Sequence, residues 1–355
     1  MNRRKFCSTA LSVLPVTAGI NLSFAGKSIA SENAEKIIPG HRAAWFQSCH
    51  WGVFVHYLAG ADQSADDWNR QVDGFDVEGL AEQLASVHAL YFCITLGQNS
   101  GHFLSPNATY DNIVRRFPSK CSRRDLVADL QVALSRRGIA LLVYVPSGAP
   151  ARDTMACEAL EWEWGFTAPH PRRGERTGKR LADFQRKWEA VLREWSDRWG
   201  TGVKGWWVDG CYFNDEMYRH DNEPNFSSFA AAMRSGNPDS IVAFNPGLYN
   251  PPISATPEED YTAGEITKLF PVTPEAYIMN DGHPVLFHVL TYLGEHWGNK
   301  PPRFSRELVA GYTRHIADCG GVVTWDVGIS KNGLIRQDHL DRLATIVPVL
   351  GNSQP

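Results

Sequence analysis

The chain has 355 residues, 43% hydrophobic and 21% charged, with 35 Lys plus Arg against 39 Asp plus Glu and a formal net charge of −4. Such a composition supplies a large core and excludes a disordered or fibrous chain. Mild acidity without long basic runs argues against nucleic acid as the main partner, and no apolar run reaches the length of about 18 residues that a membrane span needs. Aromatic residues make up 11%, and 12 of them are Trp, a surplus that suits sugar binding as well as packing.

The N-terminus opens Met1-Asn2-Arg3-Arg4-Lys5-Phe6, followed by a modestly apolar run from Leu11 to Phe24. An arginine pair ahead of such a run is the pattern of a twin-arginine export signal, with Ser23-Phe24-Ala25 as small residues for cleavage. The expected organisation is a signal segment over 1–25, a linker over 26–40 and one catalytic barrel over 41–350. The expected location is periplasmic or secreted. Export permits disulfides, but the spacings of Cys49, Cys93, Cys121, Cys157, Cys211 and Cys319 form no framework. Without CxxC or HExxH, no metal site is expected.

Along the chain, apolar runs alternate with helical periodicity. Strands are expected at Trp51–Tyr57, Ala89–Leu96, Ile139–Val145, Gly205–Val208, Ile241–Phe244, Val285–Leu290 and Gly321–Trp325. Helices are expected at Val77–Val87, Asp125–Arg137, Leu181–Trp199, Phe226–Met233 and Phe304–Ile316. The set Trp188, Trp195 and Trp199 has the spacing of core packing. Continuous apolar strands alternating with helices mean a parallel sheet covered by helices. The count approaches eight, so the fold class is α/β, a (β/α)8 TIM-like barrel of irregular form. No GxGxxG follows the first strand, which disfavours a dinucleotide-binding sheet. The basic, Gly- and Pro-rich stretch Trp162–Arg180 is expected as a loop over the active face.

In such barrels the chemistry sits at the C-terminal ends of strands. There the sequence places His56 and Tyr57, Gln98 and Asn99, Tyr144, Asp209, and Asp326. Asp209 closes the run Gly205-Trp206-Trp207-Val208. With a period of two it shares a face with Trp207, while Trp206 and Val208 share the other. Burying a charge there needs a reason. A nucleophile is one, and a helix N-cap is another. A glycosidase needs a second carboxyl, about 5–5.5 Å away in retaining enzymes. Glu258, Glu265 and Asp326 are the contenders.

At this point the residues resemble glycoside hydrolase family 29, the α-L-fucosidases, in order from about Trp45 to Leu340. Trp45-Phe46 with Trp51-Gly52-Val53-Phe54-Val55-His56 looks like the family's opening W-F and F-G-I-F-I-H-W-G. Asp67-Trp68 looks like its E-W-Y, and Trp206-Trp207-Val208-Asp209-Gly210 like its W-F-D-G. Asp260-Tyr261-Thr262-Ala263-Gly264-Glu265 resembles D-Y-x-T-P-E, and Gly320–Leu340 its closing G-G-N-L-L-L-N-I-G-P block. The resemblance implies that Asp209 is the nucleophile of a retaining mechanism. It makes Glu265 the acid/base, with Glu258 second because its local string is Thr256-Pro257-Glu258. It also implies that His56 bonds sugar hydroxyls, Trp68 walls the subsite, and Tyr144 and Trp207 line the floor. Gln98-Asn99 stand where the family has paired histidines, and Trp297 lies where it has W-G-Y. No arginine stands near Asn245, and no C-terminal β-sandwich is expected.

The resulting expectation is an exported retaining exo-glycosidase that releases α-L-fucose or a related sugar without a cofactor. Its partner is an oligosaccharide or polysaccharide. The rivals are a glycan-binding pseudoenzyme on the same barrel and a glycosidase for an L-galacto-configured or sulfated sugar, to which the basic Arg172-Arg173-Gly174-Glu175-Arg176 would be suited.

Overall fold

Among the described residues nine segments form strands, seven of them rich in β-branched and aromatic residues and buried on both faces. They are β1 (Trp51–Val55), β2 (Tyr91–Thr95), β3 (Ala140–Pro146), β4 (Val203–Asp209), β5 (Ile241–Phe244), β6 (Tyr277–Asn280), β7 (His283–Leu286), β8 (His288–Tyr292) and β9 (Val322–Val327). The computed structural model describes residues 36–351 except 61, 164–178, 274 and 299. The expected signal segment, most of the linker and the basic stretch Arg172–Arg176 lie outside the described residues.

Seven strands form one parallel sheet in the order β5-β4-β3-β2-β1-β9-β8. Strands β6 and β7 form a separate antiparallel hairpin. Its two-residue turn is Asp281-Gly282, both with positive φ (48° and 81°), the geometry that matches the twist of paired strands.

The expected eight-stranded barrel is therefore incomplete in its regular part, which stops at seven strands. Between the edge strands β5 and β8 runs the irregular segment Asp260–Ile266. The Asp260 N–H donates to Val242 on one side, while Thr262 and Ile266 donate to Leu286 and Leu290 on the other. Gly264 explains the irregularity. Its φ is +66°, and a Cβ there would stand 1.9 Å from the His288 carbonyl oxygen.

Alternation sorts the strand side chains into two cores. Val53, Val55, Phe92, Ile94, Val143, Trp206 and Val208 join the large cluster with the helices. Phe54, Tyr91, Leu142, Tyr144, Trp207, Tyr261 and Leu290 form the inner cluster. The inner cluster is floored at the N-terminal ends of the strands by the short helix Ala44–Cys49. From it, Phe46 packs on Tyr91 and Tyr261 with ring centres 4.6 and 4.9 Å away. On the outer face, the helix Ala182–Trp199 buries Phe184, Trp188, Leu192, Trp195 and Trp199, the packing stripe its spacing implies. The Trp188 and Trp195 indole N–H groups donate to the Pro146 and Pro106 carbonyls, so the rings are buried without an orphaned donor. Cys93 and Cys211 are fully buried thiols, held in the core as small residues.

Candidate active site

Because the sheet is parallel, every strand delivers its last residues to the same end, and a cavity of about 350 Å³ opens there. That is the size class of small-molecule sites. Its polar lining is His56, Gln98, Tyr144, Asp209 and Glu265, and its apolar lining is Phe54, Leu58, Trp207, Leu290 and Trp297.

Strand β4 supplies the centre. Trp207 and Asp209 face the cavity while Trp206 and Val208 face the helices, as a period of two requires. Trp207 stacks on Tyr144 with ring centres 5.4 Å apart and donates its indole N–H to the Ala263 carbonyl at 2.9 Å. Asp209 caps no helix. Its carboxylate instead accepts three side-chain donors: Tyr144 Oη on Oδ2 at 2.6 Å, and Tyr212 Oη and Asn245 Nδ2 on Oδ1 at 3.1 and 2.9 Å. Gln98 Nε2 donates to Tyr144 Oη at 2.7 Å, so the amide, the phenol and the carboxylate form a chain. Gln98 does not serve as a turn cap; only its backbone carbonyl closes the turn, to Gly101.

Asn245 follows β5 directly, and its backbone N–H continues the ladder to Val208. Its Nδ2 donates a second bond, to Glu265 Oε2 at 2.6 Å. One amide nitrogen thus holds two carboxyls, and their bonded oxygens are no farther apart than the two bond lengths laid end to end. That limit agrees with the spacing of about 5–5.5 Å used by retaining glycosidases. Burial pushes the Glu265 carboxyl above its ordinary value and the charge of Asp209 pushes it further, while the Asn245 bond and His56 pull the other way. The site therefore pairs a carboxyl that accepts three side-chain donors, Asp209, with one whose hold on a proton is strengthened by burial and by its neighbour's charge, Glu265.

Four expected residues fall elsewhere. Glu258 does not line the cavity; its backbone carbonyl accepts from Arg234 and its carboxylate lies 4.0 Å from that side chain, beyond the helix Phe226–Met233. Trp68 is 1% exposed, belongs to the cluster shared with the helices and donates to the Phe103 carbonyl at 2.9 Å, so it is core rather than a subsite wall. Asn99 does not line the cavity either, and its carbonyl accepts the Arg152 N–H at 2.9 Å. Asp326, the third carboxyl contender, is fully buried behind His56 with Oδ1 2.8 Å from the ring Nδ1. Sequence reasoning missed Asn245, Tyr212, Leu58 and Leu290 as site residues. The strand-end argument applied to β5 points to Asn245 directly.

No family model and no curated protein matches the chain in sequence. Solved structures do match it in fold. The endo-fucoidan hydrolase P5AFcnA from glycoside hydrolase family 107 superposes with a TM-score of 0.66 at 17% identity, covering 89% of this chain and 95% of that one. The α-L-fucosidase AlfC from Lactobacillus casei, in complex with an α-L-fucose product, gives 0.59 at 14% identity over 86% and 96%. The α-L-fucosidase isoenzyme 1 from Paenibacillus thiaminolyticus gives 0.56 at 16% over 86% and 74%. The chain spans about half of the larger family 107 hydrolase MfFcnA4, 53% of its length. At these identities the likeness is one of fold.

Proposed function

We propose that the protein is an exported retaining exo-glycosidase that releases α-L-fucose or a closely related sugar by double displacement. The observation that carries this reading is the pair Asp209 and Glu265, bridged by one Asn245 amide nitrogen inside a cavity of about 350 Å³. The fucose-acting enzymes among the structural neighbours support the substrate class by analogy of fold.

Asp209 attacks the anomeric carbon while Glu265 gives its proton to the leaving oxygen. Glu265 then takes a proton from water, which breaks the glycosyl ester on Asp209. Tyr144 and Tyr212 keep the carboxylate of Asp209 aimed, and their donors stabilise it again as it leaves the sugar. The 6-methyl group of a fucose matches the apolar lining of Phe54, Leu58, Leu290 and Trp297, while His56 and Gln98 face its hydroxyls. The Asp209 carboxylate in the cavity opposes a sulfate beside it on the bound sugar, which favours a neutral residue there over the sulfated alternative. Export is inferred from the N-terminal arginine pair, the apolar run Leu11–Phe24 behind it and the small residues at Ser23-Phe24-Ala25.

The test is hydrolysis of an aryl α-L-fucoside by the mature protein and its Asp209→Asn variant. Turnover is expected to fall by roughly 10⁴-fold or more in the variant, and the first product released by the wild type is expected to be the α anomer by NMR. An unchanged rate, or inversion at the anomeric carbon, refutes the assignment. Binding of fucosides without turnover in either protein would make it a glycan-binding protein instead.

A further inference from the structure

Asp326, near the end of β9, has no surface in solvent. A buried carboxylate is costly unless its oxygens are matched, and both are. Oδ1 lies 2.8 Å from His56 Nδ1, and Oδ2 accepts the Gly298 N–H at 2.5 Å. A carboxylate has no proton to offer, so His56 Nδ1 carries one, and Nε2 is the ring atom left to meet a ligand in the cavity.

The same residue ties down the loop that carries Trp297. The Leu293 N–H donates to the Asp326 carbonyl at 2.8 Å, and Gly298 is bound to the side chain, so the loop is fastened before and after the tryptophan. The Trp297 ring lies 5.6 Å from that of His56 and 4.8 Å from that of Tyr292. Gly298 has φ +65°, and a Cβ on it would stand 2.8 Å from His56 Cβ, so this approach requires glycine.

We propose that Asp326 is a positioning residue whose carboxylate holds His56 in the Nδ1–H form, with Nε2 presented to a sugar hydroxyl, and seats Trp297 against the same sugar through Gly298. This deepens the glycosidase reading and rests on it for the ligand's identity. The state of the His56 ring, by contrast, is a property of the protein without ligand.

The experiment is nitrogen–proton correlation NMR of the full chain labelled at histidine, with the His56 signals assigned by their loss in His56→Gln. The wild type is expected to show the Nδ1–H form. In Asp326→Asn the new amide NH₂ faces a hydrogen whichever way it turns: the Gly298 N–H, or the His56 Nδ1–H unless that ring switches to the Nε2–H form. The variant is expected to show Nε2–H or a mixture, and kcat/KM on the aryl fucoside is expected to fall about 10- to 100-fold, mostly through KM. A wild-type His56 in the Nε2–H form overturns the proposal, as does a variant with unchanged ring state and unchanged KM. If the variant fails to fold, the wild-type spectrum decides alone. If the wild type shows the Nδ1–H form but turns over no glycoside, the activity proposed above fails while the positioning of His56 by Asp326 stands.

Discussion

Four carboxyls lie within eight residues on the segment from Glu258 to Glu265, and its two ends treat them in opposite ways. At the near end Asp260 is 5% exposed in its side chain and locked between Arg42 at 2.6 Å and Arg234 at 2.7 Å, with the Val242 N–H as a third donor. Glu259 beside it is fully buried, with donors from Phe244, Ser254 and Ala255 all at 2.7 Å. At the far end Glu265 has one amide donor, a neighbouring carboxylate and an open cavity in front of it. Burial raises the carboxyls of both Glu259 and Glu265, so a raised value alone does not mark a site. What separates them is whether the oxygens are already saturated by the fold. Saturated carboxyls tie the irregular segment to β5, and an unsaturated one facing space is available for chemistry.

Replacing the far-end group should have the largest effect. Glu265→Gln is expected to lower the rate on substrates with poor leaving groups by about 10²–10⁴-fold, as loss of a general acid does, and to matter much less for aryl glycosides whose leaving oxygen needs little protonation. Equal losses on both substrates would remove the acid role. Asp260→Asn should reverse the pattern, with turnover per folded molecule kept and stability lost. Breaking a buried pair costs about 3–5 kcal/mol, and the partial solvent access of Arg42 and Arg234 brings the expectation to about 2–3 kcal/mol. Denaturant unfolding measures it, and a loss of turnover in the folded variant would erase the contrast between the two ends.

The sequence pattern carried much of this arrangement but not its joints. The strands that are buried on both faces are legible as apolar runs, and Ile241–Phe244 and Phe226–Met233 have the expected bounds. The run Val285–Leu290 is two strands, because Phe287 bonds sideways to Ala276 and Val322. The β6–β7 hairpin went unread although Asp281-Gly282 is a strong turn signal, since its strands are half-exposed and lack an apolar run. Of the expected site residues, His56, Gln98, Tyr144, Trp207, Asp209, Glu265 and Trp297 meet at one cavity. They are the ones that strand ends or the family-like order point to. Trp68 was placed at the subsite only by the likeness of Asp67-Trp68 to the family's E-W-Y, whereas its indole N–H is spent on a backbone carbonyl. Asn245 was under-read because the strand-end argument was not carried to β5, where it is the next residue; its importance comes from two carboxyls that only the fold brings together.

The subtlest consequence is that one kind of substitution should move stability in opposite directions at carboxyls six residues apart. In Glu259→Gln the amide NH₂ must face the Phe244 N–H or the Ala255 N–H, and leaving a buried donor unsatisfied costs about 1–3 kcal/mol. In Glu265→Gln the amide oxygen can still accept from Asn245, and what disappears is a charge that burial and Asp209 both oppose. The sign with pH follows from the raised folded-state value. Below the ordinary carboxyl value Glu265 is protonated in both folded and unfolded chains and contributes no penalty. As pH rises through the folded-state value the folded chain must give up a proton that it holds more tightly than the unfolded one, so stability falls. Glu265→Gln is therefore expected to melt close to the wild type at acid pH and above it at alkaline pH. Glu259, raised by burial to about 8, adds its own decline between the ordinary carboxyl value and that one, and Glu259→Gln is expected to flatten that decline while lowering stability at acid pH. Thermal unfolding of the three proteins at about pH 5 and about pH 8 separates the cases. A Glu265→Gln variant less stable than the wild type at the higher pH would mean that this carboxyl, too, is held by the fold rather than held in reserve against it.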